Sequence, residues 1–259
     1  MDVPTKITSK VYLIRHGETD WSKAGKHTSR AEVPLSKTGE EQVIKARDHF
    51  IGEGKLIDPA DISRIYCSPR GRARRTCELL NLGHHGRLLW EEETPETPGR
   101  TNLQTKVGTP VLVTERLREW DYGDYEGMTI SEVHELRKTR GLDKDRENDG
   151  KTWNIWVDGC EGGESPQQVS DRLDSLIKEI LKFMETAGPT PGGKTIPRPK
   201  NIICIAHGHI LASMALRWAQ QPLKNGMRLL METAGVAVLG FEHDDIREPG
   251  IILGRRAGL

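Results

Sequence analysis

Two short apolar runs, KVYLIR (10–15) and NIICIA (201–206), each drive straight into a His-Gly pair. Both runs are rich in β-branched and aliphatic residues and are bounded by glycine, the pattern of a buried strand. A third run of that kind, ISRIYCS (62–68), leads into the arginine-dense stretch PRGRARR. Between the runs lie helix signals. SKTGEEQVIKARDHF (36–50) has Ser36 as N-cap, PRGRARRTCELLNL (69–82) has a proline placed for the first helical position, and TISEVHELRKT (129–139) has Thr129 and Glu132 in capping-box spacing. SPQQVSDRLDSLIKEILKFMETA (165–187) carries Leu173, Leu176, Ile177, Ile180, Leu181 and Met184 on one face. ILASMALRWA (210–219) follows as helix and GVAVLGFEH (235–243) as a late strand, with RLLWEE (87–92) a further strand and PVLVTERLREW (110–120) extended. This alternation predicts an α/β fold, a three-layer sandwich with a mainly parallel central sheet flanked by helices. All 259 residues are expected to form a single domain, with loop excursions near 93–110, 143–163 and a Pro/Gly-rich 188–200.

Charge excludes several partner classes. Lys+Arg and Asp+Glu are both 38, so no global field draws the chain to nucleic acid or an acidic membrane. The longest apolar run, IICIAHGHILASMAL, is too short for a bilayer and is broken by two histidines. Cys67, Cys77, Cys160 and Cys204 lack CxxC spacing and read as free thiols of a cytoplasmic protein.

Ligands of open α/β sheets bind beyond the carboxyl ends of the strands. If the three strands are neighbours, Arg15, His16, Arg72 and His207 meet in one pocket. Two guanidinium groups and two imidazoles in a small volume repel each other unless a dianion sits between them, and arginine matches phosphate oxygens bidentately. A neutral imidazole is a nucleophile near pH 7. The leaving alkoxide needs a proton from a carboxylic acid. Glu119 in ERLREWDYGDYEG is the candidate, although spacing alone does not choose it over Asp121 or Glu126. His207 and His209 do not read as a metal pair, because Arg15 stands beside His16 and dense carboxylates are missing; DKDRENDG (143–150) departs from a calcium loop at its glycine and terminal-glutamate positions. His84 and His85 read as surface residues of a turn.

Taken in order, LIRHGETDW, SPRGRARRT, RLREWDYGDYEG and AHGH resemble the histidine phosphatase (phosphoglycerate-mutase-like) superfamily across roughly residues 10–245. Within it, RLREWDYGDYEG, ELRKTRGLDKDR and WNIWVDGCEGGES resemble the fungal sedoheptulose-1,7-bisphosphatase branch of sugar phosphatases. The resemblance implies a cofactor-free, metal-independent phosphoric monoester hydrolase. It would remove the 1-phosphate of sedoheptulose 1,7-bisphosphate, with a sugar phosphate or bisphosphate as its only implied partner. It makes His16 the phosphorylated nucleophile, Glu119 the proton donor and acceptor, and Arg15, Arg72 and His207 the holders of the phosphoryl group. His27, Thr28, Ser29, Trp120, Asp121, Tyr122 and Gly208 are implied to face substrate. Arg137 and Arg140, with Lys138, are candidates for a second phosphate, against the alternative that they decorate an exposed helix end. Trp153 and Trp156 either wall the pocket or pack the core. Two departures stand out. Thr28-Ser29 replaces a Thr-Gly common in the family, and Ser22 follows Trp21 where mutases carry asparagine, which leans away from mutase chemistry. A mutase, a silent phosphosugar-binding regulator and a protein phosphatase are the rival readings.

Overall fold

The computed structural model describes residues 7–82, 109–144, 152–186, 188–189, 195–196, 200–225 and 227–254. The strands are β1 (Val11–Arg15), β2 (Ile62–Cys67), β3 (Val111–Val113), β4 (Gly188–Pro189), β5 (Thr195–Ile196), β6 (Asn201–Ala206), β7 (Val236–Phe241) and β8 (Pro249–Ile252). The α-helices are α1 (Asp20–Lys23), α2 (Lys37–Phe50), α3 (Gly71–Leu80), α4 (Ile130–Arg140), α5 (Ile155–Asp158), α6 (Pro166–Met184) and α7 (Gly208–Trp218). Six strands form one sheet in the order β3-β2-β6-β1-β7-β8; β4 and β5 pair separately within the expected 188–200 loop. β3, β2, β6 and β1 are mutually parallel, and β7 runs antiparallel to both neighbours.

The side-chain period of two splits each central strand between two cores. Val11 and Leu13 of β1, with Ile202 and Cys204 of β6, pack with the apolar faces of α6 and α7. Tyr12 and Ile14, with Ile203 and Ile205, pack with Val43 of α2 and with Ala73, Cys77 and Leu80 of α3. β6 is therefore covered on both faces, which is why its sequence is a continuous apolar run rather than an alternating one. The three layers anticipated from the sequence are present.

Helix ends follow their caps. Ser36 accepts from the Gly39 N–H, and Thr129 with Glu132 closes a capping box on α4. Pro69, in contrast, is not the first residue of a helix. The β2 ladder continues through Ser68, whose N–H donates to Ile205 at 2.9 Å, and Arg70 is extended, so α3 starts only at Gly71. β8, which pairs with β7 at the sheet edge, has no counterpart in the sequence reading; its PGII is too short and glycine-broken to signal a strand. The expected strand at 87–92, His84 and His85, and most of the 93–110 excursion lie outside the described residues. The four cysteines are free and buried, and no described helix is long and apolar enough to cross a membrane.

Gly17 of the first His-Gly pair has a packing reason. A Cβ there would lie 2.3 Å from the Gly39 carbonyl oxygen, and one on Gly39 would lie 2.0 Å from that of Glu18. The first turn of α2 thus rests backbone-to-backbone on the loop after β1, where neither partner can give way. Gly39→Ala is expected to cost about 1–3 kcal/mol of stability by overpacking, read as a lowered thermal midpoint.

Candidate active site

Register assembles the site. Arg15 of β1 pairs with Ala206 of β6, and Cys67 of β2 pairs with Ile205. The residues that follow, His16, Ser68 and His207, therefore emerge side by side at one edge of the sheet. The His16 and His207 rings meet edge-on with centroids 5.1 Å apart. Above this edge lies a cavity of about 360 Å³, the size of a small-molecule site. Of the residues anticipated from the sequence, Arg15, His16, His27, Thr28, Glu119, Tyr122 and Gly208 line it.

His16 is 5% exposed. Its Nδ1 lies 2.6 Å from the Gly17 carbonyl, so Nδ1 carries the proton and Nε2 keeps its lone pair. Burial holds the imidazole well below its ordinary pKa, helped by the Arg72 and Arg15 charges. The ring is neutral, as a nucleophile requires. His207 is likewise held neutral, first by burial and then by Arg72.

Arg72 and His207 stand one layer back from the cavity wall. Arg72 Nε donates to His207 Nδ1 at 3.2 Å, and the opposite ring nitrogen lies 2.7 Å from Ser68 Oγ. The rest of the Arg72 fork donates to the carbonyls of Ala31, Thr28 and Ser29. These four contacts leave one of the five guanidinium N–H groups uncommitted. Arg15 differs. Its Nη1 donates to the Met231 carbonyl at 2.5 Å, while its Nε is buried with no partner among the described residues. A buried, unpartnered cationic donor on a cavity wall invites an anionic oxygen. Gly208 lies directly against this guanidinium, where a Cβ would be in van der Waals contact with it at 3.4 Å.

Position separates the three candidate acids. Glu119 is 4% exposed and lines the cavity. Its Oε1 accepts from the Trp120 and Ile210 amides at 2.9 and 2.8 Å, and its Oε2 accepts from the His209 amide at 3.1 Å. The amides at the start of α7 thus fix the carboxyl plane and leave a lone pair on Oε2. Glu126 instead accepts from the Ser29 and Ala31 amides. Asp121 is ion-paired with Arg30 and, with Ser29, lines a separate cavity. Ser29 is not at positive φ, and its N–H is spent on Glu126, so this serine does not take the place of a glycine donating to substrate.

Other anticipated residues are elsewhere. Trp120 is fully buried, its Nε1 donating to the Glu164 carbonyl. Arg137 is also buried, held by Asp143, Glu161 and the Tyr125 hydroxyl. Arg140 pairs with Asp124 at 2.5 Å. Neither arginine lines the cavity, and nearby carboxylates neutralise both. Trp156 does line it while packing against Trp120, whereas Trp153 is core, donating to the Gly159 carbonyl. Sequence reasoning missed Thr19, Ser22, Lys26, His209 and the 228–231 segment as cavity lining. His209 had a signal: in AHGH it falls in the first turn of the helix that begins at the strand end. The Tyr122 hydroxyl lies 2.7 Å from its Nδ1, and burial lowers its pKa to about 4.

Three histidines held neutral in the native state, His16 and His207 buried and His209 part-buried, have a stability consequence. The unfolded chain takes up protons on these imidazoles as pH falls through about 6.5, whereas the native state does not, so acid favours unfolding. Each histidine is expected to cost on the order of 1 kcal/mol per pH unit below about 6.5. Thermal midpoints measured from pH 7.5 to 5.5 should fall, and fall less steeply in His209→Gln.

The comparisons accord with this geometry. The sequence profile of the histidine phosphatase superfamily (branch 1) matches residues 11–96 and 101–249. The chain belongs to the histidine phosphatase superfamily. It is 32% identical to sedoheptulose 1,7-bisphosphatase of Saccharomyces cerevisiae, over 95% of this chain and 93% of that protein. It is 34% identical to an acid phosphatase of Mycobacterium tuberculosis, over 90% and 87% of the two chains. The solved structure of the Rv3214 protein from Mycobacterium tuberculosis superposes with a TM-score of 0.66 at 29% identity, over 95% and 96% of the chains. The chain is thus a phosphatase of the histidine-phosphatase type, with the phosphoglycerate-mutase-like fold.

Proposed function

We propose that this enzyme hydrolyses the 1-phosphate of a ketose bisphosphate, with sedoheptulose 1,7-bisphosphate the preferred substrate, through a phosphohistidine at His16. The observation that carries the chemistry is the shared cavity: a neutral imidazole with a free Nε2, an unpartnered arginine donor and one buried carboxyl. Nε2 attacks phosphorus, the P–O bond to the sugar breaks, and the proton on Glu119 Oε2 passes to the departing oxygen. Glu119 then takes a proton from water, whose oxygen attacks phosphorus and breaks the P–N bond. Arg15 Nε steadies the phosphoryl charge directly, while Arg72 and His207 support that wall from behind. The bisphosphate preference draws on the similarity to the yeast protein.

No divalent ion is needed in this scheme. The cavity lining carries Arg15, Lys26 and Arg228 against the single carboxylate of Glu119, a donor set that repels a hard cation. Phosphate release measured across sugar mono- and bisphosphates, with and without a chelator, is expected to favour ketose bisphosphates and to be insensitive to the chelator. Isomerisation of a phosphoglycerate without phosphate release would overturn the hydrolase assignment in favour of a mutase.

A further inference from the structure

Part of the cavity wall attracts anions yet has no part in the chemistry at His16. Lys26 closes the turn after α1, its N–H donating to the Trp21 carbonyl at 2.9 Å and its Nζ 5.8 Å from the Trp21 ring centroid. Arg228 belongs to the 228–231 segment, which is tied to the site because Met231 accepts the Arg15 Nη1 bond. Both line the cavity that holds His16. Among the described residues neither has a carboxylate within ion-pair distance, although Arg30, Arg116, Arg137 and Arg140 each do. Glu132 senses Lys26 but its carboxylate is committed to the Thr129 cap.

A phosphate on His16 is served by Arg15, with Glu119 supplying the proton. Lys26 and Arg228 are then two further cations lining the same cavity, neither with a carboxylate in ion-pair range among the described residues. The arginines first considered for a second phosphate, Arg137 and Arg140, are held by acids outside this cavity. We propose that Lys26 and Arg228 form a distal anion subsite that binds the second phosphate of the substrate and makes the enzyme selective for bisphosphates. This rests on the proposed function above, since it needs a first phosphate seated at His16.

The test is equilibrium binding, which needs no turnover. Fructose 1,6-bisphosphate and fructose 1-phosphate are titrated calorimetrically into the His16→Ala protein, with His16→Asn as a second inactive parent. The bisphosphate is expected to bind at least about tenfold more tightly. Lys26→Met and Arg228→Gln should each shrink that ratio about threefold, both together should bring it to about one, and Lys26→Arg should retain it. A ratio near one in both parents, or an unchanged ratio in the double variant, overturns the subsite. Phosphate release by the wild-type enzyme is scored separately and bears on the proposed function alone.

Discussion

His16→Ala is expected to abolish turnover, with kcat falling about 10⁴-fold or more, the scale on which deleting a covalent nucleophile acts. The two histidines that follow β6 offer no ready substitute. His207 has both ring nitrogens engaged, by Arg72 and Ser68. His209 is occupied at Nδ1 by Tyr122. His209 has Glu119 rather than Arg72 among its main electrostatic neighbours, whereas His16 has Arg72 and Arg15. Steady-state phosphate release measures the loss. Alkaline quenching of the wild type during turnover should trap a phosphoryl group on His16, seen by peptide mass spectrometry. Near-normal rates in the alanine variant would remove His16 from the mechanism.

Glu119→Gln should separate substrates by leaving group. A sugar alkoxide cannot depart without a proton, so kcat on sugar phosphates is expected to fall about 10²–10⁴-fold, the usual contribution of a general acid. p-Nitrophenyl phosphate, whose leaving group needs no proton, should lose far less in the phosphorylation step. The glutamine is close in shape, and its carbonyl oxygen can still accept from Trp120 and Ile210. Its amide nitrogen then faces the His209 N–H, two donors together, so a modest drop in thermal midpoint should accompany the kinetic effect. Glu126→Gln and Asp121→Asn are the comparators. Both carboxylates are engaged outside the cavity lining, so neither change should produce the leaving-group dependence. If Glu126→Gln does, the proton comes from there.

The α/β layering and the helix starts at Ser36 and Thr129 were legible because they rest on local rules: caps, period and strand-bounding glycines. The arginine and histidine pairs were legible for a related reason. Each stands at or just beyond a strand's carboxyl end, and parallel neighbours deliver those ends to the same edge. PGII at 249–252 was not legible, since an edge strand of four residues depends on the partner it pairs with. Arg137 shows the same limit from the other side. As sequence it is a cation near a helix end, and only the approach of Asp143 and Glu161 turns it into a buried structural pair.

The sequence by itself determined the kind of chemistry, because an imidazole after a strand and arginines at the neighbouring strand end follow from chain order and strand periodicity. Tertiary structure decided which of three nearby acids reaches the cavity, that Arg72 supports the site from behind while Arg15 faces it, and that Lys26 and Arg228 share the lining. Those outcomes depend on how distant segments pack and on which carboxylate meets which cation first, and neither is written in local spacing.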